Sequence, residues 1–578
     1  MFQHFSKVFD TGKLSGDFVL SPLPAYSTDK WMSGTFQAGF DRYIEDRIGF
    51  RNFFVRLNNQ IDLSLFGHVN AEGLVAGKNN ILYEYDYIRA YTGGDFIGKR
   101  TINRTMDKLK FLQDHLKKEF DIDVILIFEP SKARIQPEFI PDRYLDDGIS
   151  LSNYEYFRQK AEELNINHLD LNHYLNLVSD TIRYPVYPTY GIHWSEHTMS
   201  FVTDTLVRFI EARRNIDMPE FSVETRIVPD SISASDYDAG MTANLLFRLP
   251  QPDLPYPFFT FYEDTSKQKP RVLAVADSYY WNIFNTRLPQ NLFANQAFWY
   301  FNAKVYPDFY FGEKWVKDLD IRKEVEQQDV ILLGITERFL YKFGWEFVDQ
   351  LYDIYTPNYS GDIIEKYEIR IRNFSQWFDQ LHDSAVKKDV PLESLIRANA
   401  HEQAIKEDFE TYLTWYGPRY YKRIIREDQP WRDSIMQKAT RQGVDFEAQM
   451  EKEAMFVFES NHPEIFHKYE VIHAYTDSIS NNREWMKTIR EKADRYYMPV
   501  DEMVKIDAEY MAWMYLKDET PFKRRVRHYE DLIRNTPEWL ETIKGKAKER
   551  GISLDEMIKM DATYMANEEL KKKEQNEQ

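Results

Sequence analysis

The chain has 578 residues, 43% of them hydrophobic and 29% charged, which is typical of globular proteins with more than one domain. Its formal net charge of −19 argues against a protein that binds the phosphate backbone of nucleic acids, since such a protein needs a strongly basic surface. Cysteine is absent, which excludes disulfides, thiolate zinc sites and cysteine nucleophiles.

Residues 1–75 predict a helical segment that packs on the domain after it, because apolar residues recur at i+3 and i+4 between 31 and 67. No run of 18 apolar residues occurs, and the opening MFQHFSKVFDTGKLSG lacks the apolar segment of a signal peptide. The sequence therefore predicts either a cytosolic protein or an exported one whose leader or anchor is absent here. The lack of cysteine suits an oxidising compartment.

Residues 76–360 alternate short apolar runs with helical patterns. Four runs have the composition of buried strands: 122–130, 166–171, 271–278 and 329–337. Helical patterns lie between them, at 101–119, 152–164 and 197–213. This alternation predicts an α/β domain with a parallel sheet covered by helices on both faces. Binding sites in such domains form at the carboxyl ends of the strands.

Residues 361–578 predict an all-α array of four 54-residue repeats. The clearest marker is a tryptophan, at Trp377, Trp431, Trp485 and Trp539. In every copy a tyrosine stands ten residues before the tryptophan, an isoleucine six before it, and alanines eight and twenty-three after it. Because tandem repeats stack neighbour on neighbour, we interpret these positions as core and predict three helices per repeat.

The stretch VLAVADSYYW (272–281) carries a candidate nucleophile, Ser278. A serine between the end of a strand and the start of a helix lies near free backbone N–H groups, which can stabilise an oxyanion. Its hydroxyl attacks a carbonyl only when a base takes the proton, and that base is most often a histidine from elsewhere in the chain.

The stretch YGIHWSEHT (190–198) supplies a candidate base, His193, in a loop before a predicted helix. A metal site made of His193 and His197 is disfavoured, because the loop breaks the helical spacing and no third ligand is evident. We predict that His197 belongs to the start of the helix. No metal and no cofactor is predicted for the chain.

Six stretches, in order, resemble the alginate-type polysaccharide O-acetyltransferase family. The two that carry the candidate nucleophile and base are GIHWSEHTMSFVTDTLVRFI and VLAVADSYYWNIF. The others are SGTFQAGFDRYIEDRIGFRNFFVRLNNQIDLSLFG, GLVAGKNNILYEYDYIRAYTG, IFEPSKARIQPEFIP and LLGITERFL. The resemblance covers about residues 25–350 and leaves the repeats outside.

This resemblance implies an SGNH/flavodoxin-like sheet domain, with Ser278 as nucleophile and His193 as general base. It also implies a polysaccharide substrate, a membrane-bound protein that donates acetyl groups, and a location in the periplasm or at the cell surface. No nucleic acid is expected as a partner, and the repeats are expected to bind a protein partner. Acetyl transfer and acetyl-ester hydrolysis use the same chemistry, so the sequence does not separate them.

The family pattern reads Asp-x-His-Trp, and Gly191 stands at the position of its aspartate. Three explanations stay open. A Ser–His dyad could suffice, with a backbone carbonyl orienting the histidine; another carboxylate, Glu196 or Asp277, could substitute; or the domain is a non-catalytic glycan binder whose repeats recruit partners. Loss of the orienting carboxylate without replacement costs orders of magnitude in rate.

Further side chains are candidate substrate contacts. Tyr279, Tyr280 and Trp281 follow the candidate nucleophile directly, so they could stack on sugar rings. Lys132 and Arg338 stand after two other predicted strands and could contact an anionic sugar or a leaving group, with internal or surface ion pairs as the alternative.

Overall fold

The computed structural model describes residues 12–16, 19–228, 232–233, 235–356, 361–517 and 519–576. The chain divides into two compact units. One extends to Glu407 and includes Arg495–Met498, and the other consists of Asp408–Asp494 and the residues from Pro499 onward. The predicted domain boundaries near residues 75 and 360 stay a prediction.

The strands are β1 Leu74–Ala76, β2 Leu82–Glu84, β3 Asp123–Glu129, β4 His168–Asp170, β5 Phe221–Ile227, β6 Pro255–Phe261, β7 Val272–Ala276, β8 Ala297–Tyr300, β9 Lys304–Tyr306 and β10 Val330–Thr336. The helices of the first unit are α1 Thr28–Met32, α2 Thr35–Glu45, α3 Arg51–Phe66, α4 Tyr85–Thr92, α5 Lys99–Phe120, α6 Lys132–Ile135, α7 Asn153–Glu163, α8 Leu171–Val178, α9 Glu196–Arg214, α10 Asp238–Thr242, α11 Tyr280–Asn285, α12 Leu288–Leu292, α13 Ile321–Glu326, α14 Phe347–Tyr355, α15 Ile363–Asn373, α16 Ser375–Lys388 and α17 Leu392–Glu407. The helices of the second unit are α18 Phe409–Glu427, α19 Gln429–Gln442, α20 Phe446–Asn461, α21 Pro463–Asn481, α22 Arg483–Arg495, α23 Val500–Lys517, α24 Pro521–Asn535, α25 Pro537–Arg550 and α26 Leu554–Asn576, with Arg495 at the end of α22 grouped with the first unit.

A six-stranded sheet forms the centre of the first unit, in the order β4-β3-β10-β7-β8-β9. All neighbouring strands are parallel except β9, which is antiparallel to β8. Every residue of β3, β7 and β10 is buried, so side chains cover both faces of the sheet. On one face, alternate strand residues such as Ile127, Ala274 and Leu332 share a hydrophobic cluster with α9 and α11. The four predicted strands are β3, β4, β7 and β10.

A separate two-stranded antiparallel sheet, β5–β6, was not predicted from the sequence. Phe221 pairs with Phe261 at one end and Ile227 with Pro255 at the other. Most of β5 is exposed, so its sequence carries no continuous apolar run. Two prolines, Pro255 and Pro257, lie in β6; proline is tolerated there because a two-stranded sheet consists only of edge strands.

The residues after 361 are helical throughout the part that the structure describes, with three helices in each 54-residue interval. In the three intervals of the second unit a lysine seven residues after the tryptophan pairs with an acid: Lys438–Glu453, Lys492–Asp507 and Lys546–Asp561. The alanines eight and twenty-three residues after the tryptophan are buried in all four intervals. The predicted fold class, a parallel-sheet α/β domain followed by an all-helical array, is confirmed. Among the described residues, no helix combines the length and apolar character needed to cross a membrane.

Candidate active site

Ser278 lies just beyond the carboxyl end of β7 and before α11, as the sequence predicts. Asp277 fixes this turn: its Oδ1 accepts the Tyr279 N–H at 3.0 Å, and its Oδ2 accepts the Thr336 N–H at 2.9 Å and the Thr336 hydroxyl at 2.7 Å. Oδ1 therefore closes the turn after β7, and Oδ2 ties that turn to the end of β10. The suggestion that Asp277 orients His193 is wrong, because this carboxylate is fully buried and committed to the turn.

His193 comes from the loop between α8 and α9 and reaches the serine directly. Its Nε2 lies 2.9 Å from Ser278 Oγ. The loop is anchored directly after the histidine: Trp194 is fully buried, and Ser195 caps α9 by accepting the Thr198 N–H at 3.2 Å. This anchoring holds the imidazole at the mouth of a cavity while its neighbours belong to the core.

Asp238, which the sequence analysis missed, is the carboxylate that contacts His193. Its Oδ2 lies 2.6 Å from His193 Nδ1. Its Oδ1 accepts two backbone N–H groups, those of Ile192 and Ala239, both at 2.7 Å. The aspartate is therefore fixed to the loop of the histidine that it orients. Because Nδ1 is the donor to this carboxylate, Nε2 keeps its lone pair toward Ser278.

Gly191 has no room for a side chain. A Cβ at this position would lie 2.8 Å from the Ser235 carbonyl oxygen and 3.0 Å from the Asp236 carbonyl carbon and oxygen. These atoms belong to the segment that leads into Asp238. The space that an aspartate at 191 would need is therefore occupied by the backbone that delivers the aspartate at 238.

Lys132 does not face the cavity and is not available as a substrate contact. It is 1% exposed, and its Nζ donates to the carbonyls of Pro188 at 2.7 Å, Thr189 at 3.1 Å and Gly191 at 2.8 Å. Burial lowers the pKa of Lys132 to about 7. Its three donors hold the loop that presents His193.

Three other predicted contacts also lie inside the protein. Tyr279 is fully buried and donates to the Ile192 carbonyl at 3.0 Å, which adds a further tie to the histidine loop. Tyr280 is buried against Phe298. Arg338 pairs with Glu84, and burial lowers its pKa to about 10. The internal ion pair allowed by the sequence is thus the observed role of Arg338.

Ser278, His193 and Asp238 open on a cavity of about 940 Å³. One wall is aromatic and comes from β6, with Phe258, Phe259 and Phe261. Further lining residues follow Ser278 along the chain and are polar: Asn282, Asn285 and Arg287. Of the predicted contacts, Glu196 and Trp281 do line this cavity.

Glu196 does not orient His193, because its Oε1 accepts the Ser233 hydroxyl at 2.5 Å. Beside it, Asp236 is fully buried. Burial first, and the charge of Glu196 second, raise the pKa of Asp236 to about 7. The segment leading into Asp238 thus contains an acid that changes charge near neutral pH.

The two histidines of YGIHWSEHT have separate surroundings. His197 is the second residue of α9 and lines a different cleft from His193. Within the described residues, no group of three or more His, Asp or Glu side chains is arranged to hold a metal ion.

No protein-family model and no curated protein matches the chain. Among solved structures, it is similar to the O-acetyltransferase domain of Pseudomonas putida AlgJ, with 17% identity, a TM-score of 0.31, and coverage of 46% of this chain and 92% of that one. Pseudomonas aeruginosa AlgX is 12% identical with a TM-score of 0.27, over 46% of this chain and 57% of that one. Bacillus cereus PatB1 is 12% identical with a TM-score of 0.28, over 46% of this chain and 96% of that one. These identities and TM-scores are too low to assign the chain to a family. Any proposal about function must therefore rest on the geometry of the site.

Proposed function

We propose that the chain is a serine acyltransferase that moves an acetyl group onto a polysaccharide hydroxyl through an acyl-Ser278 intermediate. One observation carries the proposal: a continuous hydrogen-bonded series runs from Ser278 Oγ to His193 Nε2 at 2.9 Å and from His193 Nδ1 to Asp238 Oδ2 at 2.6 Å. A serine, histidine and aspartate so connected at an open cavity are the components of nucleophilic acyl transfer.

In the first half of the reaction, Ser278 Oγ attacks the carbonyl carbon of the acetyl donor while His193 Nε2 takes the hydroxyl proton. Asp238 stabilises the imidazolium that forms. The tetrahedral intermediate collapses, the bond to the donor oxygen breaks, and His193 gives its proton to the leaving group. Ser278 then carries the acetyl group as an ester.

In the second half, an acceptor hydroxyl attacks the acetyl-serine, and His193 takes its proton and returns it to Ser278 Oγ. With a sugar hydroxyl as acceptor the product is an O-acetylated glycan; with water it is acetate. Acetyl esterase activity therefore belongs to the same proposal.

Two donors are available for the oxyanion. The Ser278 N–H makes no hydrogen bond to another described backbone or side-chain group. The Asn282 side-chain amide lines the cavity one helical turn further on and donates to Ser235 Oγ at 3.2 Å. We infer that these two groups stabilise the negative charge of the tetrahedral intermediate, as preorganised donors do in acyl-transfer sites.

The aromatic wall of β6 and the amide wall that follows Ser278 suit a carbohydrate, which offers apolar ring faces and hydroxyl edges. The resemblance of six sequence stretches to polysaccharide O-acetyltransferases supports acetyl as the acyl group. The same resemblance is the basis for proposing a membrane-bound acetyl-donor protein and a periplasmic or cell-surface location. A protein partner of the helical array is proposed from the repeat pattern alone.

The test is hydrolysis of p-nitrophenyl acetate by the wild type, Ser278→Ala, His193→Ala and a matched control, Ser233→Ala. Ser233 lines the same cavity without touching the imidazole. Turnover in the wild type and the control, with loss in the other two, is the expected result. Equal background rates in all four proteins would refute the acyl-serine mechanism. Mass spectrometry should find an acetyl adduct on the peptide that contains Ser278.

The second candidate function is a non-catalytic glycan binder, which the aromatic wall of the cavity also favours. It predicts saccharide binding with no turnover of any ester in the wild type. The hydrogen-bonded contact of Ser278 with His193 favours the enzyme.

A further inference from the structure

A second cleft, of about 510 Å³, lies beside α9. We name it the α9 cleft and define it by His197 and Phe201 from α9, Arg183 and Tyr184 from the preceding loop, and Thr225 from β5. None of these side chains takes part in the proposed chemistry at Ser278, so the cleft needs its own explanation.

His197 is the feature that points to a ligand. The side chain lines the cleft and is 7% exposed; its Nδ1 is closed off from solvent, so Nε2, which has no hydrogen-bond partner among the described residues, is the atom that meets a ligand in the cleft. Buried polar groups in folded proteins almost always have partners. Burial also lowers the pKa of His197, which keeps the ring neutral, with one donor and one acceptor.

The surroundings of His197 suit a sugar ring. Tyr184 and Phe201 meet the imidazole edge-on, at centroid distances of 5.2 and 5.1 Å. Arg183 is exposed, with its guanidinium 5.5 Å from the centroid of the Tyr184 ring, and Thr225 adds an exposed hydroxyl. A purely apolar ligand would leave the imidazole unsatisfied, and one arginine beside a neutral histidine is a weak site for an anion. A saccharide offers both ring faces and hydroxyl groups.

The α9 cleft adjoins the cavity of Ser278. Glu196 lines that cavity and His197, the next residue, lines the α9 cleft. The β5–β6 sheet is shared in the same way, because Thr225 of the α9 cleft pairs with Pro257 of the catalytic cavity. The two spaces therefore share the start of α9 and the paired strands β5 and β6.

We propose that the α9 cleft is a second saccharide subsite, which holds a part of the acceptor chain distant from the hydroxyl that is acetylated. This inference rests on the proposed function for its acceptor, but it assigns a separate site. The subsite contributes affinity for long acceptors and leaves the chemical step unchanged, because none of its side chains reaches Ser278.

The experiment measures calorimetric binding of cello-, manno-, xylo- and chito-oligosaccharides of one to six units. It uses Ser278→Ala protein, which cannot turn over, with and without His197→Ala or Phe201→Ser. Phe201 is 42% exposed, so its replacement leaves the core intact even where His197→Ala does not fold. His173→Ala, an exposed histidine outside the cleft, is the matched control.

For the best-bound series, affinity should rise with chain length and fall about tenfold in either cleft variant, as loss of one hydrogen bond or stacking contact implies. Binding of the monosaccharide and of the control variant should not change. Absence of saccharide binding, affinity independent of length, or equal affinity in the cleft variants would overturn the subsite. Hydrolysis of p-nitrophenyl acetate tests the proposed function separately: its failure with the length dependence intact refutes the acyltransferase and leaves the subsite standing.

Discussion

Asp238→Asn is the substitution that tests the arrangement around His193 most directly. In the wild type, Oδ1 of Asp238 accepts two backbone N–H groups, and Oδ2 faces His193 Nδ1. An asparagine has one oxygen, and the two N–H groups fix it at the Oδ1 position. The amide NH₂ must then face Nδ1, which accepts a hydrogen bond instead of donating one. The imidazole carries its hydrogen on Nε2, directed at Ser278, and no longer serves as a base.

The expected loss in kcat is about 10⁴-fold, the magnitude that an inverted tautomer causes in a serine triad. The assay is p-nitrophenyl acetate hydrolysis, with thermal unfolding measured in parallel to show that the variant is folded. Asp236→Asn is the matched control, because Asp236 lies two residues away and has no hydrogen bond to His193. Activity of Asp238→Asn within threefold of wild type, roughly 0.6 kcal/mol, would refute the assigned role of Asp238.

Three further substitutions test the supports of the site. Lys132→Met should leave buried carbonyls of the histidine loop unpaired, at a cost of roughly 1–3 kcal/mol for each group. Both the melting temperature and the esterase rate should therefore fall. Unchanged values of both would contradict the positioning role of Lys132. Gly191→Asp should reduce activity, because its Cβ would meet the backbone at 235–236, and a variant more active than wild type would show that this contact is not limiting. Asp236 has a pKa raised from 3.8 to about 7, so the folded state holds a proton that the unfolded state has lost, and stability falls as pH rises through this window. Asp236→Asn removes this pH dependence, which changes the free energy of unfolding by at most about 4 kcal/mol. The melting temperature of the variant should therefore rise relative to that of the wild type between pH 5 and pH 8. A difference in melting temperature that does not change with pH would contradict the assignment.

The sequence was sufficient to predict the strands that are buried on both faces. β3, β7 and β10 are continuous apolar runs because each is covered by side chains above and below. The same burial explains why Ser278 was found, since polar residues directly after such a run mark the edge of the sheet. The β5–β6 sheet lacks a continuous apolar run, because β5 is mostly exposed and β6 contains two prolines.

Because the β5–β6 sheet was not predicted from the sequence, Asp238, which lies between its two strands, was not predicted either. Asp238 follows β5 and lies 45 residues from His193 in the chain, in a stretch with no predicted element. No spacing rule connects the two residues, because Asp238 lies in the segment between β5 and β6, which returns to the histidine loop. Conversely, Lys132 and Arg338 stand at strand ends, as binding residues do, but their side chains turn inward. Sequence position fixes the end of a strand and leaves the direction of a long side chain undetermined.

Gly191 lacks the carboxylate that the family pattern has at this position, and the geometry of the site explains why. A carboxylate can reach the Nδ1 atom of His193 either from two residues before it or from a separate segment. The two routes exclude each other here, because the backbone of Ser235 and Asp236 lies where a side chain at 191 would begin. A chain that uses the second route therefore needs a residue without Cβ at 191. The glycine is therefore what permits Asp238 to approach His193 Nδ1.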